Sequence, residues 1–202
     1  MWDGLLTVMQ QLNVNYVLIS KQGVDSKNYQ IFRNIVKEKN IKVGIVGKGD
    51  RIKIEKDLYL DVLWPDNLNL INENVLNNNS IVCKLNYGNF SILFTGDIEE
   101  ISENQILREY KANLKILNST ILKVGHHGSK TSSTINFIQT VNPKIALIGV
   151  GKGNKFGHPN NDVLSRFKDL SVQVYRTDIN GEISIVVDKN GSIKSRKLID
   201  DS

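Results

Sequence analysis

The sequence predicts a mixed α/β domain with some antiparallel sheet. Three observations point to it. Between residues 120 and 175, apolar runs of strand length alternate with segments whose apolar residues recur at helical spacing. Between 51 and 95, alternating runs are joined by short turns, which is the pattern of hairpins. The chain closes on two strand-like runs separated by Asn190-Gly191, a strong two-residue turn signal. With 202 residues, 40% of them hydrophobic and 23% charged, one globular domain can bury a sizeable core.

The elements follow in order. Leu5, Leu6, Val8, Met9 and Leu12 repeat at helical spacing, so a short amphipathic helix opens the chain. Val14–Ile19 is an apolar run of strand length. Asp25 and Ser26 are capping residues ahead of Tyr29, Phe32, Ile35 and Val36, again at helical spacing. Strands are predicted at Ile41–Val46, Arg51–Glu55 and Leu58–Trp64, the last stopped by Pro65. Asp66–Asn79 is rich in Asn and reads as loop with one helical turn. Ile81–Leu85 and Phe90–Thr95 pair through Tyr87-Gly88-Asn89. Then come helix Ser102–Tyr110, strand Thr120–Val124, helix Ser133–Val141, strand Lys144–Ile148 and helix Asn160–Asp169. Strands at Val172–Tyr175, Glu182–Val187 and Ser192–Lys197 complete the chain. No repeat, linker or low-complexity tail divides it, so residues 1–202 read as one domain.

Composition excludes several classes. No apolar run approaches the roughly 20 residues that span a bilayer. No basic signal-like segment opens the chain, so a cytoplasmic product is expected. Cys83 is the only cysteine, which rules out an internal disulfide and a Cys-based zinc site. Its apolar surroundings, Ser80–Leu85, make it a buried strand residue. The formal net charge of +5 permits a polyanionic partner. Lys and Asn are spread along the whole chain, however, so compositional bias explains the charge as readily as a nucleic-acid patch.

All three histidines, His126, His127 and His158, fall in Gly-rich loops that follow predicted strands. Asp97, in Phe94-Thr95-Gly96-Asp97, also ends an apolar strand. Strand ends hold loops rigidly around a crevice in α/β proteins, so an Asp and three His can converge on one rim. Imidazole and carboxylate together suit zinc or manganese. Asp97 equally suits a cap for the following helix. Gly128-Ser129-Lys130-Thr131-Ser132-Ser133 leads into a helix, where free N–H groups and hydroxyls can hold a phosphate. Ordinary capping by Ser132 or Ser133 is the other use of that pattern. The Gly-rich segments at 44–49 and 149–153 have the wrong spacing for a dinucleotide fingerprint or a P-loop, and no Ser nucleophile elbow is present.

Phe94-Thr95-Gly96-Asp97 followed by Leu122-Lys123-Val124-Gly125-His126-His127-Gly128-Ser129 resembles the metallo-β-lactamase fold. Asn154-Lys155-Phe156-Gly157-His158-Pro159, then Tyr175-Arg176-Thr177-Asp178 with Gly181, and Asn79-Ser80-Ile81-Val82, narrow the resemblance to the C-terminal domain of ComEC-type competence proteins. The fold that this implies is α/β, a partial αββα sandwich of the metallo-β-lactamase fold. Its first strands and its His-x-His-x-Asp-His motif are missing ahead of Gly4-Leu5-Leu6. The resemblance implies Asp97 as a bridging carboxylate and His126 as the late His ligand, both binding zinc or manganese in the intact family domain. His126 is preferred over His127 because neighbours at a strand end point to opposite sides. Asp97, His126 and His158 would be the catalytic set, and His127, Ser129, Lys130, Ser132 and Asn154 would contact substrate. The middle His ligand of the general fold is replaced by Asn79-Ser80.

The implied activity is metal-dependent phosphodiesterase or nuclease chemistry tied to DNA uptake, with single-stranded DNA as partner. The intact domain of such proteins is tethered to the cell membrane. With only Asp97 and one or two histidines, this chain is expected to hold metal poorly, or none. It would then need a separately encoded N-terminal part, or would act only as a binding or assembly module.

Overall fold

The computed structural model of the chain describes residues 2–21, 26–188 and 191–199. The predicted mixed α/β architecture is present. A seven-stranded sheet is built from β3 (Arg51–Glu55), β4 (Leu58–Trp64), β5 (Val82–Tyr87), β6 (Phe90–Phe94), β7 (Ile121–Lys123), β8 (Ile145–Ile148) and β9 (Gln173–Arg176). These strands lie side by side in sequence order. From β3 to β6 the neighbours are antiparallel; β3–β4 and β5–β6 are joined by tight turns in which Asp57 and Gly88 take positive φ, and β4–β5 by the longer segment 65–81. From β6 to β9 they are parallel.

Parallel neighbours need long crossovers, and here α4 (Glu100–Glu109), α5 (Ile135–Val141) and α6 (Asn161–Asp169) supply them. Each crossover steps to the next strand in the same direction, so right-handed connections put all three helices on one face. That face holds the main core: Leu93, Leu122 and Ala146 of the sheet against Ile106, Phe137, Ile138, Val163 and Phe167 of the helices. Phe137 and Phe167 are almost wholly buried, and each contributes about 1.5–3 kcal/mol by leaving water.

The opposite face carries a hairpin of β10 (Ile183–Val187) and β11 (Ile193–Lys197). Its Ile183, Ile185, Val187 and Ile193 pack with Phe90, Ile121, Ile145 and Tyr175. A third cluster joins α1 (Trp2–Gln11) and α2 (Lys27–Glu38) to the parallel pair β1 (Tyr16–Ser20) and β2 (Lys42–Val46). Among the described residues, no helix is long and apolar enough to cross a membrane.

Several boundaries differ from the sequence reading. Ser26 caps α2 as expected, accepting from Tyr29 N–H at 3.2 Å; the expected cap Asp25 and the turn residue Asn190 lie outside the described residues. Neither Ser132 nor Ser133 caps α5. Thr134 does, because the chain kinks at Ser133, whose φ is +57°. Asp97 does not cap α4, which starts after Glu99. Three short turns were not legible as elements: the 3-10 segments Leu114–Leu117 and Gly125–Gly128, and the helix α7 (Thr177–Asn180).

β1 and β2 form a two-stranded sheet, so each presents an unpaired edge. Along these strands Tyr16, Val43 and Ile45 are exposed, whereas Val17, Val46 and the adjoining Ile41 are buried. Open apolar edges favour pairing between chains. Concentration-dependent self-association is therefore expected in size-exclusion chromatography, and Ile45→Lys is expected to reduce it. A monomer at every concentration would count against this.

Candidate functional site

The parallel strands β6, β7 and β8 end on one rim, and the loops that leave them carry the histidines and Asp97. Hydrogen bonds stitch these loops together. Thr95 Oγ1 donates to Lys123 O at 2.7 Å, and His126 N–H donates to Gly96 O at 3.1 Å. Asp97 N–H donates to Ser80 Oγ at 3.3 Å. Gly96 is required at this crossing: its φ is +56°, and a Cβ there would stand 2.7 Å from that of Ser80.

His126 and His127 do not continue β7. Both take left-handed backbone, with φ of 45° and 56°. Two consecutive non-glycine residues in this region store strain that must be held by surrounding contacts. The alternation argument that favours His126 over His127 therefore does not apply. It is His127 whose Nε2 faces Asp97, at 3.7 Å from Oδ1. The His127 Nδ1 bonds Gly149 O at 2.6 Å. A carbonyl only accepts, so Nδ1 carries the proton and a neutral ring leaves Nε2 bare toward the carboxylate.

His126 points its Nδ1 at Glu99 Oε1, 3.3 Å away. Its ring meets that of His158 edge-on, with centroids 5.7 Å apart. His158 is set by Asn154, whose Oδ1 accepts from His158 N–H at 3.0 Å and whose Nδ2 donates to His158 O at 2.6 Å. Burial lowers the His158 pKa, and the neighbouring His126 and His127 push it the same way. Phe156 stacks on the His158 ring at 5.9 Å. Asp97, His126, His127 and His158 thus share one rim. Asn154 lies beside them but is occupied in bracing the loop.

The proposed phosphate loop is differently employed. The N–H groups of Ser133 and Thr134 already donate to the buried Glu103 carboxylate at 2.5 and 2.7 Å. The Ser132 hydroxyl is wholly buried and donates to Gly125 O and Ser129 O. Ser129 Oγ pairs with Thr131 Oγ1 at 3.1 Å, and Lys130 is exposed. Glu103 supplies the negative charge that this helix end attracts.

Three groups at or near the rim escaped sequence reasoning. Glu99 was legible only as a second acid two residues beyond Asp97. Lys123 is largely buried, and its ammonium donates to Val124 O at 2.8 Å. Burial lowers its pKa, while the Asp97 charge opposes the shift. The Gly149 carbonyl has no side-chain signal at all. Cys83 lies in β5 as expected but only half-buried, with its thiol pushed up to about 11 by burial.

Among the described residues, no group of three or more His, Cys, Asp or Glu side chains is placed to hold a metal ion. Open catalytic zinc sites use three protein ligands. Asp97 and His127 supply two, and no third such side chain is grouped with them among the described residues, so a zinc or manganese ion does not fit this set alone.

Fold and rim together define a mixed α/β domain with a histidine–carboxylate rim at its parallel strand ends. Its homologues are ComEC-type competence proteins. The chain is 34% identical over 176 residues to ComE operon protein 3 of Bacillus subtilis (strain 168), covering 87% of this chain and 22% of that protein. It is 32% identical to Competence protein ComA of Neisseria gonorrhoeae over 60% of this chain and 17% of that protein. It is 38% identical to the uncharacterized protein YcaI of Escherichia coli (strain K12) over 54% of this chain and 14% of that protein. The chain therefore spans about a fifth of the length of these relatives or less. No family model matches it. Among solved structures, the CmlA beta-hydroxylase E377D mutant aligns with a TM-score of 0.49 and 11% identity, over 80% of this chain and 38% of that one.

Proposed function

We propose that this chain forms part of a hydrolase-like rim within a DNA-uptake competence protein, and that alone it has no significant metal-dependent phosphodiesterase activity. The observation that carries the reading is the facing pair Asp97 and His127, with Oδ1 and Nε2 3.7 Å apart and no third ligand grouped with them among the described residues. Two ligands hold a metal too weakly to bring its bound water toward neutral pKa. In this reading Asp97, His126 and His158 flank the reacting phosphodiester, and His127, Ser129, Lys130, Ser132 and Asn154 build the loops around it. A segment with His-x-His-x-Asp-His would complete the ligand set, and the membrane tether belongs to other parts of such proteins.

The test is hydrolysis of a chromogenic phosphodiester and of single-stranded DNA with zinc or manganese. The chain and its Asp97→Ala variant are expected to be equally inactive, with turnover appearing once the His-x-His-x-Asp-His segment is added. Robust turnover by the chain, abolished in Asp97→Ala, would overturn the reading.

A second reading, a strand-binding module, is favoured by Phe156. Its side chain is 82% exposed and stacks on His158, with exposed Lys152 and Lys155 in the same loop. An exposed aromatic ring in a basic loop can serve as a stacking platform, worth about 1–3 kcal/mol per base. Phe156→Ala is expected to weaken binding of a short single-stranded oligonucleotide at least about fivefold. Unchanged affinity would count against it.

A further inference from the structure

We infer that Glu99 is a positioning residue, which fixes His126 as its Nδ1–H tautomer and leaves Nε2 as the bare nitrogen. The His126 Nδ1 is fully buried and makes no hydrogen bond among the described residues, and Glu99 Oε1 stands 3.3 Å from it. The pair is not aligned as a hydrogen bond, so charge rather than direction holds it. Facing a carboxylate, which only accepts, a neutral imidazole is favoured with its proton on that side.

Glu99 is itself held rigidly. Oε2 accepts from Asn74 Nδ2 at 2.8 Å and from Asn78 Nδ2 at 3.4 Å, and Oε1 accepts from Thr131 Oγ1 at 3.1 Å. The Glu99 N–H donates to Asn78 Oδ1 at 3.2 Å. Desolvation works against ionisation of Glu99. The donors Asn74 and Thr131, with the His126 ring, outweigh it and hold the carboxyl below its ordinary range. His127 differs, because both its nitrogens face acceptors: Nδ1 the Gly149 carbonyl at 2.6 Å and Nε2 the Asp97 carboxylate at 3.7 Å. This holds whether or not the rim hydrolyses anything.

The same geometry dictates what glutamine would do. Asn74 and Asn78 offer only N–H donors at the Oε2 position, so the Glu99→Gln amide must keep its oxygen there. Its NH2 then takes the Oε1 place, where the Thr131 hydroxyl can turn to accept and where it faces His126 Nδ1. The donor and acceptor roles invert, and His126 should become the Nε2–H tautomer.

The experiment is nitrogen-15 NMR of the histidine rings in the full chain at about pH 8.5, well above the ordinary imidazole pKa of about 6.5. His127→Gln and His158→Gln assign the signals. The unmodified chain is expected to show His126 as Nδ1–H. In Glu99→Gln the dominant tautomer reverses, with a swing of about tenfold or more in the ratio, the worth of one hydrogen bond. An Nε2–H His126 in the unmodified chain overturns the inference, and so does an unchanged tautomer in a folded Glu99→Gln. If Glu99→Gln does not fold, the unmodified chain still decides.

Discussion

Asn78→Ala is expected to lower the stability of the chain by about 3 kcal/mol or more, because the wholly buried Asn78 side chain ties the segment at Glu73–Asn78 to the one at Glu99–Ser102. It ends the short helix α3 (Val75–Asn78). Its Oδ1 accepts from Glu99 N–H and, at 2.7 Å, from the Ser102 hydroxyl; its Nδ2 donates to Glu73 O and Glu99 Oε2. Alanine removes every one of these partners. A buried group left without a hydrogen bond costs about 1–3 kcal/mol, and at least Glu99 N–H loses its acceptor outright. Leu is expected to do no better, since the groups around it stay polar. Urea unfolding followed by circular dichroism measures the loss. A change below about 1 kcal/mol would mean that water replaces the amide and that the network is not a dry one. Because the carboxylate that faces His126 hangs from this amide, the variant should also disturb the His126 ring.

The second large effect is a pH dependence from Glu103. Its side chain is 1% exposed in α4, and burial pushes its pKa up to about 7 although Thr134 and Ser133 N–H groups and the Arg166 charge oppose the rise. A carboxyl whose pKa is raised on folding binds protons more tightly in the folded state. Its contribution is fully present below the unfolded value near 4.5 and is lost as pH rises through about 7. At about 1.4 kcal/mol per pH unit between the two values, the loss is about 3 kcal/mol.

Other groups act in the opposite sense. Glu99 has a lowered pKa, so its stabilisation is lost only as pH falls below the ordinary carboxyl range. His158 has a lowered pKa too, which makes stability rise with pH below the ordinary imidazole value of 6.5. Comparison with Glu103→Gln isolates the term. The wild-type chain should be the more stable at pH 5 relative to its own stability at pH 8, and Glu103→Gln should flatten that difference. Equal pH slopes for both proteins would show that Glu103 ionises freely.

Most of the scaffold was legible in the sequence, for a local reason. Period-2 and helical patterns report which residues face a core, and they located β3 to β11 and the crossover helices to within a few residues. The rim was legible as well, because strand ends and Gly-rich loops are marked locally, and Asp97, His126, His127 and His158 do share it. Which atoms meet there was not. The choice between His126 and His127 depends on two left-handed dihedrals in the Gly125–Gly128 turn, whose histidines bond Gly96 O and Gly149 O from distant segments.

The Ser129–Ser133 loop gives the same lesson in another form. Its composition states that an anion suits the helix end. Only the fold reveals that the anion is Glu103, brought there by α4 from 30 residues upstream. The sequence by itself determined the order of strands and helices along the chain and the list of groups able to do chemistry, because these depend on neighbours a few residues apart. Tertiary structure alone decided which carboxylate faces which imidazole, which hydroxyls are spent on backbone carbonyls and which helix end is already filled. Those outcomes depend on contacts between segments remote in the chain, where an ångström separates a hydrogen bond from none.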